Sequence, residues 1–167
     1  MELLFYIAAA VAVAATVRVI THLHAVHALL YFVVSVLALA LIFYLLGAAF
    51  AAALEIIVYA GAIIVLFIFV VMLLNQGPLT VEQERRWLAP GIWWGPSLLA
   101  LVLLGEVTAI IVLDDLPPTV PMGVRPKDVS MGLYGPYVIA VELASMLLLS
   151  GLIGAYHLGR RVSKERT

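Results

Sequence analysis

Five stretches of this chain stay apolar for long enough to cross a lipid bilayer, and that decides most of what the chain can fold into. Cut at its charges and prolines, the sequence leaves apolar blocks over residues 2–20, 27–46, 51–74, 92–113 and 136–158. Each holds about 19–24 residues, or about 28–36 Å of helix, against a hydrocarbon core of about 30 Å. A membrane strand would need only about 10 residues of alternating polarity, and these blocks do not alternate. The expected fold is therefore an all-α membrane protein, five transmembrane helices in a single domain over residues 1–167. Composition agrees: 65% of residues are hydrophobic and 11% charged, where soluble domains carry roughly 45–50% and about 25%. No length remains for a soluble catalytic domain. A net charge of −1 argues against a nucleic-acid partner, and the absence of cysteine excludes disulfides, thiol chemistry and cysteine-ligated iron–sulfur clusters in this chain.

The first block is read as a retained span, because Met1-Glu2 lacks the positive charge of a secretory signal. Residues 21–26 form a short turn with His22 and His24. Residues 47–50 are barely a turn, so spans two and three should form a tight antiparallel pair. Residues 75–91 are polar, and Thr80-x-x-Gln83 fits the cap of a short surface helix. The longest loop, residues 114–135, holds Pro117, Pro118, Pro121 and Pro126, which are expected to prevent regular structure and stiffen the connection. No internal repeat is visible, against an inverted-repeat transporter. Lys and Arg divide unevenly. Arg18, Arg85, Arg86, Arg160, Arg161, Lys164 and Arg166 fall on one side, and Arg125 and Lys127 on the other. The richer side should be cytoplasmic, which places the N-terminus outside and the C-terminus inside.

Three carboxylates lie within spans: Glu55, Glu106 and Glu142. Counting inward from the outer ends puts all three about 6–10 Å below the outer boundary, as a layer. An acid at mid-bilayer costs about 2.5–3.5 kcal/mol, so it needs a reason. For Glu55 and Glu142 two readings stand level: a proton relay or water-lined cavity, and a side chain that snorkels to the headgroups or bonds a neighbouring helix. For Glu106 the second reading is favoured, since no polar residues accompany it. Tyr59 follows Glu55 at i+4 on the same helix face, and Ala60-Gly61-Ala62 then removes side-chain bulk. Those small residues suit close helix packing, or a helix whose winding can change through a π-bulge. Span five carries Ala140, Ala144, Gly151, Ala155 and Gly159, a groove for another helix and a sign of partner subunits. His22, His24, His27 and His157 sit at the membrane rim without the spacing of ligands on one helix face, and Trp87, Trp93 and Trp94 read as an interfacial belt. A haem-bearing quinone-linked anchor subunit and a small stand-alone transporter are the alternative function classes.

The segment ALEIIVYAGAIIVLFIFVVML, residues 53–73, closely resembles the third helix of the subunit J family of respiratory complex I, the proton-pumping NADH:quinone oxidoreductase. RVITH with VHALLY (residues 18–22 and 26–31) and GPYVIAVELASM (residues 135–146) resemble the same family in order along the chain. The resemblance implies a bacterial inner-membrane subunit with a periplasmic N-terminus and no redox cofactor of its own. NADH, FMN, iron–sulfur clusters and quinone would be bound by other subunits. Its partners would be subunits A, H and K and the antiporter-like N, within the bilayer. It further implies that the third helix converts between α and π-bulged forms near Tyr59 and Gly61, making or breaking a hydrated proton path that involves Glu55 and Glu142. An acid at Glu106 is not part of that pattern, and the loop over residues 114–135 and the tail after His157 inherit no function from it.

The charge count generates a test of orientation. A reporter that works only in the cytoplasm should be active when fused after Thr167 and silent when inserted in the loop over residues 114–135. The reverse pattern would overturn the assigned topology.

Overall fold

A computed structural model describes residues 2–22, 25–74, 93–112 and 124–159, and every regular element among them is a helix. Two compact units result, Met1–Val124 and Arg125–Thr167. The first contains α1 (Glu2–Thr21), α2 (Ala25–Leu45), a third membrane helix built from α3 (Ala49–Leu54), π1 (Glu55–Ile63) and α4 (Ile64–Leu74), and α5 (Trp94–Val112). The second contains α6 (Pro126–Leu133) and α7 (Val138–Gly159). Five helical stretches are long and apolar enough to cross a membrane: Glu2–Thr21, His27–Leu45, Ala49–Val71, Trp94–Val112 and Val138–Leu158. They coincide with the five apolar blocks to within a few residues. The surface helix expected at Thr80, together with His24, Trp87, Arg85 and Arg86, lies outside the described residues.

Lipid tails are as apolar as leucine, so membrane helices associate through close approach and polar bonds more than through apolar burial. The α1–α2 pair uses both. Ala8, Val11, Ala12 and Ala15 of α1 are buried with Val34, Ala38 and Leu41 of α2, joined by Leu103 of α5. Within this seam the Thr16 hydroxyl donates to the Ala12 carbonyl of its own helix at 2.8 Å. Ser35 Oγ stands 2.8 Å from Thr16 Oγ1 and, with the Thr16 proton already engaged, donates across the helix pair.

The turn between α2 and α3 is a Schellman motif. The Ala48 N–H donates to the Phe43 carbonyl and the Gly47 N–H to the Tyr44 carbonyl, both at 2.9 Å. Gly47 takes φ 83°, the left-handed conformation that a side chain resists. With so short a turn α3 folds straight back along α2, the expected antiparallel pair.

One expectation fails at Pro126. It does not keep its part of the loop irregular; it begins α6. Proline at the first helical position loses no hydrogen bond and already has a helical φ, so it starts helices as readily as it breaks them. Arg125 precedes it in an extended conformation, and its guanidinium bonds Asp128 in the first turn at 3.0 and 3.1 Å. Pro117, Pro118 and Pro121 lie outside the described residues.

At the end of the first unit that holds His22 and His27, α5 approaches α2 through Gly95, where any Cβ would overlap the hydroxyl of Tyr31. Tyr31 is buried and stacked on His22, so it has little freedom to give way. Gly95→Ala should therefore lower stability by about 1–3 kcal/mol, an ordinary overpacking cost. Tyr31→Phe combined with Gly95→Ala should recover much of the loss, because it deletes the overlapping atom. Thermal unfolding of the detergent-solubilised protein, run as a double-mutant cycle, measures both effects.

Candidate functional site

The third membrane helix changes its winding where its sequence turns polar and then small. α3 is ordinary helix, and from Glu55 to Ile63 the backbone is π-wound. Ile64 closes the segment by donating its N–H to the Tyr59 carbonyl, five residues back. A π-bonded turn takes in one residue more than an α turn, so side chains beyond it are rotated by about 100° for each residue absorbed. Most π segments are single-turn bulges, and this one runs for nine residues. Each backbone N–H keeps an acceptor in either winding, so a helix inside lipid can change winding without stranding polar groups for long.

Glu55 opens the segment, Tyr59 sits at its middle and Gly61 follows two residues later. Glu55 is half-buried and Tyr59 is 48% exposed. Their side chains are not hydrogen-bonded to one another in this winding. A Cβ built on Gly61 meets only the Ile56 carbonyl oxygen, at 3.4 Å, within the same helix. Among the described residues, then, no second helix requires the glycine. Ala52 and Ile64, on either side of π1, are the buried residues that tie this helix down, whereas π1 itself buries none.

The helix also has room on one flank. A largely apolar groove of about 540 Å³ separates α2, the third helix and α5, lined in part by Leu41, Tyr44, Ala53, Ile56, Leu103 and Val107. Glu55 lies about 9 Å along its helix from Ala49. Glu106 is equally far from the end of α5 at Val112. Ala49 and Ile111 meet at the same groove, so these two acids stand at similar depth. Glu142 belongs to α7, where it is exposed and its backbone carbonyl accepts a hydrogen bond from Ser145 Oγ at 2.7 Å.

Glu106 differs from its expected reading. It is only 5% exposed, and neither carboxyl oxygen has a hydrogen-bond partner among the described residues. It neither snorkels nor bonds a neighbouring described helix. The register of α5 places Leu99, Leu103, Glu106 and Ile110 on one face, and the structure shows that this face is the one turned to the core. The histidines differ too. The chain turns between α1 and α2, which brings the rings of His22 and His27 to 5.5 Å and stacks His22 on Tyr31. Spacing along a single helix does not anticipate that. Among the described residues there is no group of three or more metal-ligating side chains.

Comparison with known proteins adds a second line of observation. The family described as NADH-ubiquinone/plastoquinone oxidoreductase chain 6 matches residues 15–158. A protein of Pseudomonas aeruginosa named NADH-quinone oxidoreductase subunit J is 61% identical over 168 residues, covering 99% of this chain and 100% of its own length. The protein of the same name in Escherichia coli K12 is 52% identical, covering 96% of this chain and 87% of its own length. That of Buchnera aphidicola subsp. Schizaphis graminum is 45% identical, with coverage of 96% and 98%.

Proposed function

The chain belongs to the NADH-ubiquinone/plastoquinone oxidoreductase chain 6 family, and from that premise we propose that its third membrane helix couples quinone reduction to proton translocation by changing its winding. It is a multi-pass membrane subunit of respiratory complex I, the proton-pumping NADH:quinone oxidoreductase, in the bacterial inner membrane. Within the complex it serves as a non-catalytic subunit, with NADH, FMN, iron–sulfur clusters and quinone held by other subunits. Subunits A, H and K and the antiporter-like N are its partners, and its N-terminus faces the periplasm.

The observation that carries this reading is the nine-residue π segment centred on Tyr59. Conversion to α winding returns about one residue per turn and rotates the flanking side chains by about 100°. Tyr59 and Glu55 then present a different face to whatever covers them, exchanging apolar surface for polar. Water enters where polar groups offer it partners and leaves where they turn away. A proton path is thereby made or broken with no chemistry in the helix itself. Glu55, Tyr59 and Gly61 form the moving part, and Glu142 supplies a further polar group toward the path. The uncovered surface of π1 supports this, because a helix gripped along its length would not be free to rewind.

Gly61→Val tests it. The branched side chain is restricted at χ1 and adds bulk beside the Ile56 carbonyl, 3.4 Å from a Cβ at this position, so it biases the helix toward one winding. A bias of about 1 kcal/mol shifts a two-form equilibrium about five-fold. NADH oxidation linked to quinone and membrane-potential formation should fall together in vesicles containing comparable amounts of assembled complex. Tyr59→Phe should be milder, since only the hydroxyl is lost. Normal turnover and pumping in fully incorporated Gly61→Val would make the third helix ordinary packing. Separately, Glu142→Gln should lower pumping moderately while assembly, followed by native gel electrophoresis, stays intact.

A further inference from the structure

The α1–α2–α5 bundle holds a second line of polar groups, distinct from the Glu55–Tyr59 stripe of the π segment. On α2 the buried residues His27, Tyr31 and Ser35 follow one another at i, i+4 and i+8, on one face. Thr16 of α1 joins Ser35 through their hydroxyls. Glu106 enters from α5, between Leu103 and Ile110, two residues that belong to or pack against the same core. The close approach of Gly95 to Tyr31 sets the register of the two helices. From that level Ser35 lies about 6 Å outward and Glu106 about 16 Å, which leaves about 10 Å between them along the bundle.

A carboxyl group enclosed to this degree needs hydrogen-bond partners whether it carries its proton or not, and the described residues supply none. Water fits the need, for a buried water commonly makes about three hydrogen bonds to polar groups that lack others. The nearest polar groups inward within this seam are the Ser35 and Thr16 hydroxyls. At about 2.8 Å per hydrogen-bonded oxygen, three or four waters span the interval.

We propose that Glu106 anchors a buried hydration site enclosed by α1, α2 and α5, which takes water as its ligand on the side facing the Thr16–Ser35 pair. The site is separate from the Glu55–Tyr59 stripe and does not depend on rewinding of the third helix. Its physical consequence is a short stretch of hydrated interior in a part of the subunit that is otherwise aliphatic.

The test is electron cryo-microscopy of the intact complex, at a resolution that shows ordered water, for the unaltered protein and for Glu106→Gln and Glu106→Leu. Water density is expected within hydrogen-bond distance of the Glu106 carboxyl. It should persist beside the amide of Glu106→Gln and be lost in Glu106→Leu. A dry carboxyl bonded directly to a protein group, from this chain or a neighbouring subunit, overturns the proposal. So does water that remains unchanged in Glu106→Leu. If a variant fails to assemble, the map of the unaltered complex still decides between a wet and a dry carboxyl. None of these readouts requires turnover, so a negative Gly61→Val result and a negative result here are distinguishable.

Discussion

Backbone N–H and C=O groups inside a bilayer have no water to bond, so each must find its partner within its own segment. Everything else in this subunit works under that rule. It selects helices for all five spans and gives Gly47 its importance, because the Schellman bonds there satisfy α2 carbonyls at the end of a span. It also defines the kind of movement the chain can make. A transmembrane helix cannot open at a hinge as a soluble loop can, but it can exchange one hydrogen-bonded winding for another. π1 is such an alternative winding, with the acceptor of each bond moved one residue further back.

Close packing and exposed surface are separated within the first unit. The α1–α2 seam is tied by alanines, which bring the two backbones close, and by the Thr16–Ser35 bond. Ala52 and Ile64 anchor the third helix on either side of π1, and the residues between them are left largely uncovered. The apolar groove beside Ile56 adds free volume on one flank of the third helix. In a subunit of a larger assembly, uncovered apolar surface faces lipid or neighbouring subunits, whereas a half-buried Glu55 and an exposed Tyr59 require polar company. The exposed face of π1 is thus the face on which a change of winding would be felt by a partner.

The membrane acids divide by environment more than by depth. Glu55 is half-buried at the flank of the π segment. Glu106 is at similar depth but turned into the bundle, where it must be satisfied locally. Two identical side chains therefore take different tasks because the helices beneath them face different ways. The same reasoning applies where α1 meets α2, which makes neighbours of His22, His27 and Tyr31.

Hydropathy and length determined the helices, because a bilayer leaves an apolar block of about 20 residues hardly any other structure. The five spans, the tight turn at Gly47 and the unusual character of the Glu55–Gly61 stretch were all legible on those grounds. The motif around Tyr59 was specific enough to point to the family. Tertiary structure alone decided which way each helix faces, since spans that are apolar all round give no amphipathic signal of their buried side. That is why Glu106 read as a rim acid and is a core acid. It is also why the histidines, judged by spacing along one helix, did not show that a turn unites two of them. Pro126 was ambiguous for a local reason: proline ends a helix from within and begins one at its first position, and only the conformation of Arg125 before it reveals which applies. The winding of π1 belongs to both levels. Small residues after a polar pair permit it, and over its nine residues the segment lies along α2 without burying a side chain, between the buried Ala52 and Ile64.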